Sequence, residues 1–249
     1  DVGHRLLIAN ICGAAQADDT NQTIASGHKI VSQRYTEAVT NNASSLTIAI
    51  NPSDVSNQRG MEFFGCVVTN FTITADSGTE GGRYKWSATL QTGRIPDLDS
   101  QTLVNVSGSN NYANTTGTTL SSASGVKLYG VDAVLNNFTT TIDYPAVFTG
   151  ITSSGYEVVS RGAECSVTHD CQVKYDGNTK GLVNSFDTQT AALAENMFII
   201  TNNGKFGIDT ANGVLTNAAY SEGDIMMLDV SIKAVDDGTD ELLIVDLSD

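Results

Sequence analysis

Basic residues are scarce in this 249-residue chain: 13 Lys and Arg stand against 28 Asp and Glu, a formal charge of −15. No Lys/Arg cluster interrupts the acidity, which argues against nucleic-acid binding by phosphate neutralisation, since that needs a basic stripe. Only 3 prolines occur, so there is no Pro-rich linker. The 3 histidines, His4, His28 and His169, have no second ligand at useful spacing, and the 4 cysteines, Cys12, Cys66, Cys165 and Cys171, form no C-x-x-C pair. No G-x-S-x-G, H-E-x-x-H or G-x-x-x-x-G-K-[ST] run is present. No apolar stretch is long enough to span a membrane as a helix. Disorder is excluded too, because 40% of the residues are apolar and only 16% charged.

What the chain has in quantity is Gly, Thr, Ser, Asn and Asp, the usage of many strands joined by tight turns. Two stretches share an outline. Val67, Phe71, Ile73 and Ala75 hold one parity before the turn Asp76-Ser77-Gly78-Thr79, after which Tyr84, Trp86, Ala88 and Leu90 alternate. Cys165, Val167, Cys171, Val173 and Tyr175 hold one parity before Asp176-Gly177-Asn178-Thr179. A shift of 100 positions aligns Val67 with Val167, Ile73 with Val173, Asp76 with Asp176, Thr79 with Thr179 and Gly81 with Gly181. A strand buries alternate residues, so a shared register implies related β-units in tandem. The expectation is a mainly β protein of two such domains, residues 1–120 and 121–249, with one short flanking helix.

Along the chain, residues 1–50 read as an extended arm with strands at His28–Tyr35 and Ser45–Ile50. The apolar run Leu6–Cys12 is expected to be a first strand or arm rather than a signal peptide, because Asn10 breaks it. Met61–Ala75 and Arg83–Thr92 form a hairpin. Residues 93–125, rich in Ser, Asn, Thr and Gly, read as a connecting loop or linker. Strands resume at Val126–Ile142, Tyr156–Ser160 and Ala163–Tyr175, and Thr179 caps a helix to Phe186. Asn196–Asn202, Gly213–Ala219, Asp224–Val235 and Glu241–Leu247 are the closing strands.

Few residues are candidates for chemistry. His169 interrupts the parity of its strand and reads as a buried polar residue or an interface contact, having no nucleophile or orienting group beside it. Asp236-Asp237-Gly238-Thr239-Asp240 is acidic, but it lacks the spacing of a calcium loop and reads as a hairpin turn. Cys165 and Cys171 lie about 20 Å apart on one strand and cannot bridge, so free buried thiols are expected. Six N-x-[ST] sites occur, at Asn21, Asn42, Asn70, Asn105, Asn114 and Asn137, of which Asn70 and Asn137 fall inside expected strands. No catalytic, cofactor-binding or metal-binding set emerges.

The run Phe64–Asp76, followed by Gly81-Gly82 and a strand ending Thr92-Gly93-Arg94, resembles the major tail tube proteins of long-tailed bacteriophages. The second half is similar to them as well, from Asn137–Ile142 through Gly162 and Glu164–Tyr175 to the helix ending at Phe186 and the strands Ala211–Ala219 and Asp224–Val235. The likeness covers the chain from about residue 60 onward; residues 1–60 have no counterpart in it. It implies a sandwich or barrel-like tube domain whose sheets join those of neighbours around a channel. For a two-domain member it implies homotrimeric rings of pseudo-sixfold symmetry, stacked into a virion tail and assembled from subunits made in the host cytoplasm. Tape measure, terminator and baseplate proteins would be the partners, and DNA would pass without specific binding. The acidity then reads either as solubility in a salty setting or as a surface to which passing DNA does not adhere. The competing reading is a secreted or cell-surface β-sandwich used for adhesion or carbohydrate binding.

Overall fold

The computed structural model describes residues 7–8, 10–12, 29–33, 45–50, 60–100, 120, 125–151, 157–161, 164–187, 198–202, 206–221, 225–236 and 242–247. The protein is a mainly antiparallel β-sandwich. In chain order the strands are β1 (Lys29–Gln33), β2 (Leu46–Ile50), β3 (Gly60–Asp76), β4 (Lys85–Gln91), β5 (Asp97–Ser100), β6 (Gly125–Leu128), β7 (Val131–Asp132) and β8 (Leu135–Asp143). They continue with β9 (Ala146–Ile151), β10 (Glu157–Arg161), β11 (Ser166–Lys174), the helix Gly181–Asp187, β12 (Phe198–Asn202), β13 (Phe206–Thr210), β14 (Gly213–Ser221), β15 (Met227–Ala234) and β16 (Leu243–Leu247).

A large 8-stranded sheet runs β14-β15-β11-β8-β3-β2, with β4 and β5 also paired to β3. A second sheet of six strands runs β1-β16-β13-β12-β6-β7, and β9 and β10 form a separate hairpin. The sandwich follows from alternation. Phe71, Ile73 and Ala75 of β3, Phe138 and Ile142 of β8, Val167, Cys171 and Val173 of β11 and Leu228, Val230 and Ile232 of β15 are all buried. They pack with Leu128, Phe198, Ile208, Leu243 and Val245 of the second sheet in one core cluster. At roughly 25 cal/mol per Å2 of apolar surface, such side chains each contribute about 1.5–3 kcal/mol when fully buried.

The expected division at residue 120 does not separate two sheets. β3 pairs with β8 from Asn70↔Asp143 to Asp76↔Asn137, and Phe71 and Phe138 belong to one core. The repeat seen in the sequence is local: β3 and β11 both lie antiparallel to β8 and so run in the same direction. Each ends in an aspartate turn at the same end of the sheet. Asp76 accepts hydrogen bonds from the Gly78 amide (2.8 Å) and the Thr79 hydroxyl (2.8 Å). Asp176 accepts from the amides of Asn178 (2.9 Å) and Thr179 (3.2 Å). A helical turn follows in each case, Glu80–Gly82 after the first and Gly181–Asp187 after the second. The turns differ in depth. Thr179 is buried, donating from Oγ1 to the Lys174 carbonyl and accepting from the Asp176 amide, whereas Thr79 is exposed.

Several other expectations are corrected. Residues 7, 8 and 10–12 are helical, not a strand or arm. Ile8 and Ile11 share the core-facing side of that turn, and Asn10 Oδ1 accepts the Val68 amide at 2.7 Å. Val68 borders a register shift between β3 and β4, so the side chain replaces a ladder bond. The single strand expected over Val126–Ile142 is broken at Tyr129-Gly130, where φ values of 50° and 77° make the tight turn between β6 and β7. Strand β5 falls inside the expected loop 93–125, and β9 and β13 were not anticipated. The helix was, with its Leu182 buried.

Candidate functional site

His169 is the residue that sequence reasoning singled out, and it is fully buried between the two sheets. Its ring stacks on Phe198 at 4.2 Å between centroids. Nδ1 lies 2.9 Å from Thr140 Oγ1 and Nε2 2.8 Å from Thr210 Oγ1. Thr210 Oγ1 also donates to the Leu242 carbonyl at 3.2 Å. That hydroxyl has one proton, so it accepts from His169 Nε2–H, leaving Nδ1 to accept from Thr140. A neutral imidazole satisfies every group. Burial holds its pKa down at about 3, and no acidic group touches the ring among these bonds. His169 is a structural link between the sheets, as its interrupted parity implied.

The other sequence candidates are the cysteines, the acidic run and the N-x-[ST] sites. All four cysteines are buried and none is in a disulfide; burial, and secondarily Asp170, push the Cys171 thiol up. Asp236 is partly exposed, and the rest of its acidic run, residues 237–240, lies outside the described residues. No group of three potential metal ligands occurs among the described residues. Asn70 and Asn137 lie in β3 and β8 as expected, and the other four N-x-[ST] sites lie outside the described residues. A depression of about 300 Å3 is lined by Thr74, Asp76, Arg83 and Lys85. Another, of about 650 Å3, is lined by Glu164, Cys165, Lys233 and Asp236. No helix among the described residues is long and apolar enough to cross a membrane.

What stands out is the outward face of the large sheet. The residues that alternate with the core form a grid of hydroxyls, amides and interspersed charges. One row across the strands is Ser87, Thr72, Thr141, Thr168 and Lys233. The next is Lys85, Thr74, Thr139, Asp170 and Ser231. A third is Asp76, Asn137, Gln172 and Asp229. The grid is bonded to itself. Gln172 accepts from Asn136 Nδ2 at 2.7 Å and donates to Asp229 Oδ1 at 3.0 Å and Ser221 Oγ at 3.2 Å. Ser231 donates to Asp170 Oδ1 at 2.6 Å. Asp143, Asp170 and Asp229 alternate with Lys85, Lys174 and Lys233, so this face lacks both a basic stripe for phosphates and a block of like charge.

Two strands bound the large sheet among the described residues. Residues 70–74 of β3 pair with β4 on one side and β8 on the other, which makes β4 a boundary strand; β14 pairs with β15 alone. Two core-side aromatics mark these margins. Trp86 sits opposite Ile73 and stacks on Phe71, yet is 49% exposed. Tyr220 sits opposite Leu228 and meets Tyr175 edge-on, yet is 52% exposed. The parity of Trp86 was legible in the sequence; its exposure was not, because that depends on how far the second sheet reaches.

No protein-family model matches the chain, and no curated protein matches it in sequence.

Proposed function

We propose that this protein is a structural virion subunit, a tail tube protein of the long-tailed phage type that assembles into stacked rings through which DNA leaves. The observation that carries the reading is the self-bonded polar face of the large sheet. Gln172 bonds Asn136 and Asp229, and Ser231 bonds Asp170, across strands, and Lys85, Lys174 and Lys233 are interspersed with Asp170 and Asp229. Phosphates passing such a surface meet no cluster of cations to bind. This face, turned toward the bore, gives a wall along which DNA slides without sticking, and the protein needs no catalytic residue to do so. Charge on the wall is interspersed, so the −15 of the chain lies mainly on other surfaces. The resemblance in strand order supports assembly, and so does β14, which pairs with β15 alone among the described residues, since strand edges template pairing with further chains.

The test is concentration-dependent assembly. Purified protein, concentrated and examined by sedimentation and negative-stain electron microscopy, is expected to give rings or hollow tubes with a regular axial repeat. A protein that stays monomeric with and without a tail-initiation complex contradicts the proposal.

A further inference from the structure

We propose that His169 is an acid-sensitive latch between the two sheets: a proton added to its ring releases β12, β13 and the start of β16 from the large sheet, which keeps its own pairing. The inference concerns the single chain and does not depend on the tube reading.

One ring grips three strands of the second sheet at one end. Phe198 opens β12 and Thr210 closes β13, and the two are a cross-strand pair. The His169 ring stacks on the first at 4.2 Å and bonds the second at 2.8 Å. Thr210 in turn donates to the carbonyl of Leu242, next in sequence to the first residue of β16. On the other side Thr140 holds Nδ1 at 2.9 Å, and β11 is fixed between β8 and β15.

The grip suits one protonation state. Nε2–H already donates to Thr210, and Nδ1 accepts the Thr140 hydroxyl proton. A second ring proton would meet that hydroxyl proton, and its charge would be buried without a counter-ion, which is costly. Nothing beside the ring offsets it. Cys171, two residues along β11, is the titratable group on the same side of that strand, and its thiol is uncharged; β8 and β15 present Phe138, Ile142, Val230 and Ile232 to the core, and β13 presents Ile208. Asp170, Asp209, Asp229 and Lys233 alternate with these buried residues and so lie on the opposite sides of their strands. The second sheet is the part that yields. β12, β13 and β16 have 5 residues each, against 9 in β8 and β11 and 8 in β15, and segments with few ladder bonds open first.

Hydrogen exchange on the whole chain reads the two sheets separately. Corrected for intrinsic exchange, protection of the amides in Phe198–Asn202 and Phe206–Thr210 is expected to fall about tenfold per pH unit between pH 6.5 and 4.5, because the open form takes up the proton at the ordinary 6.5 and the closed form only at about 3. Protection of Leu135–Asp143 and Ser166–Lys174 is expected to stay within about twofold over that range. H169Q, neutral throughout, is expected to hold the β12 and β13 protection level. Equal loss in both sheets, no loss in the parent, or the parent's slope in H169Q overturns the latch. Should H169Q not fold, T210V decides: without the hydroxyl that ties the ring to β13 and Leu242, β12 and β13 are expected to lose protection at neutral pH while β8 and β11 keep theirs, and unchanged protection in β12 and β13 overturns the latch.

Discussion

The two faces of the large sheet are built from the same strands and differ in what each asks of its residues. On the inner face Phe71, Phe138, Val167 and Val230 are sealed from water, and the imidazole of His169 is matched bond for bond by Thr140 and Thr210. On the outer face Asn136, Gln172 and Asp229, and Ser231 and Asp170, are bonded across strands among the neighbouring Thr and Lys residues. The inner face makes the fold; the outer face is free to serve assembly and passage. Substitutions should therefore divide cleanly between stability and assembly.

The largest effect belongs to the centre of the inner face. Phe138 packs against Tyr84 and Phe198 with centroids 5.6 and 6.0 Å away, so Phe138→Ala should cost about 3–5 kcal/mol in urea unfolding. Acid comes next. The ordinary imidazole pKa of 6.5 is lowered to about 3 in the fold by burial, so protonation favours the unfolded chain. The contribution of neutral His169 is fully present above pH 6.5 and is lost as pH falls from there toward 3, by about 1.4 kcal/mol per pH unit. His169→Gln should flatten that part of the profile, measured as the urea midpoint between pH 6.5 and 4.5. If the substituted and parent slopes are equal, the assignment is wrong.

The twin turns allow a finer comparison. Thr179→Ala removes a buried hydroxyl that makes bonds to Lys174 and Asp176 and should cost about 1 kcal/mol. Thr79→Ala, at an exposed site, should cost less, and the difference is readable by thermal unfolding of both proteins. Hydrogen bonds hold both aspartates below the usual carboxylate range, from Thr79 and the Gly78 amide for Asp76 and from the Asn178 and Thr179 amides for Asp176. Their contribution is present above the ordinary carboxylate pKa and fades below it, beneath the pH 6.5 to 4.5 range in which His169 is measured. The smallest effect belongs to the outer grid: Thr139→Ala should change stability by no more than about 0.5 kcal/mol.

Much of this division was legible in the amino-acid order. Alternation placed Phe71, Ile73, Val167 and Val173 on the buried face because a strand repeats every two residues, and Asp76 and Asp176 marked turns because a short carboxylate bonds the amides that follow it. The shared register did not disclose that β3 and β11 flank one strand, β8, in one sheet. Pairing over such distances in sequence is decided by packing, and local pattern is silent on it. The N-terminal turn was misread because Asn10 breaks an apolar run in one dimension but satisfies Val68 in three. The polar grid was visible only as Thr-rich composition until strand order placed Thr72 beside Thr141 and Thr168.

The central claim is that the polar face of the large sheet looks into the bore of a ring of identical chains. An electron cryomicroscopy reconstruction of the assembled protein tests it directly. The account predicts Thr72, Thr141 and Thr168 lining the channel, with the second sheet outside; a channel lined by the second sheet, or by a basic surface, would contradict it.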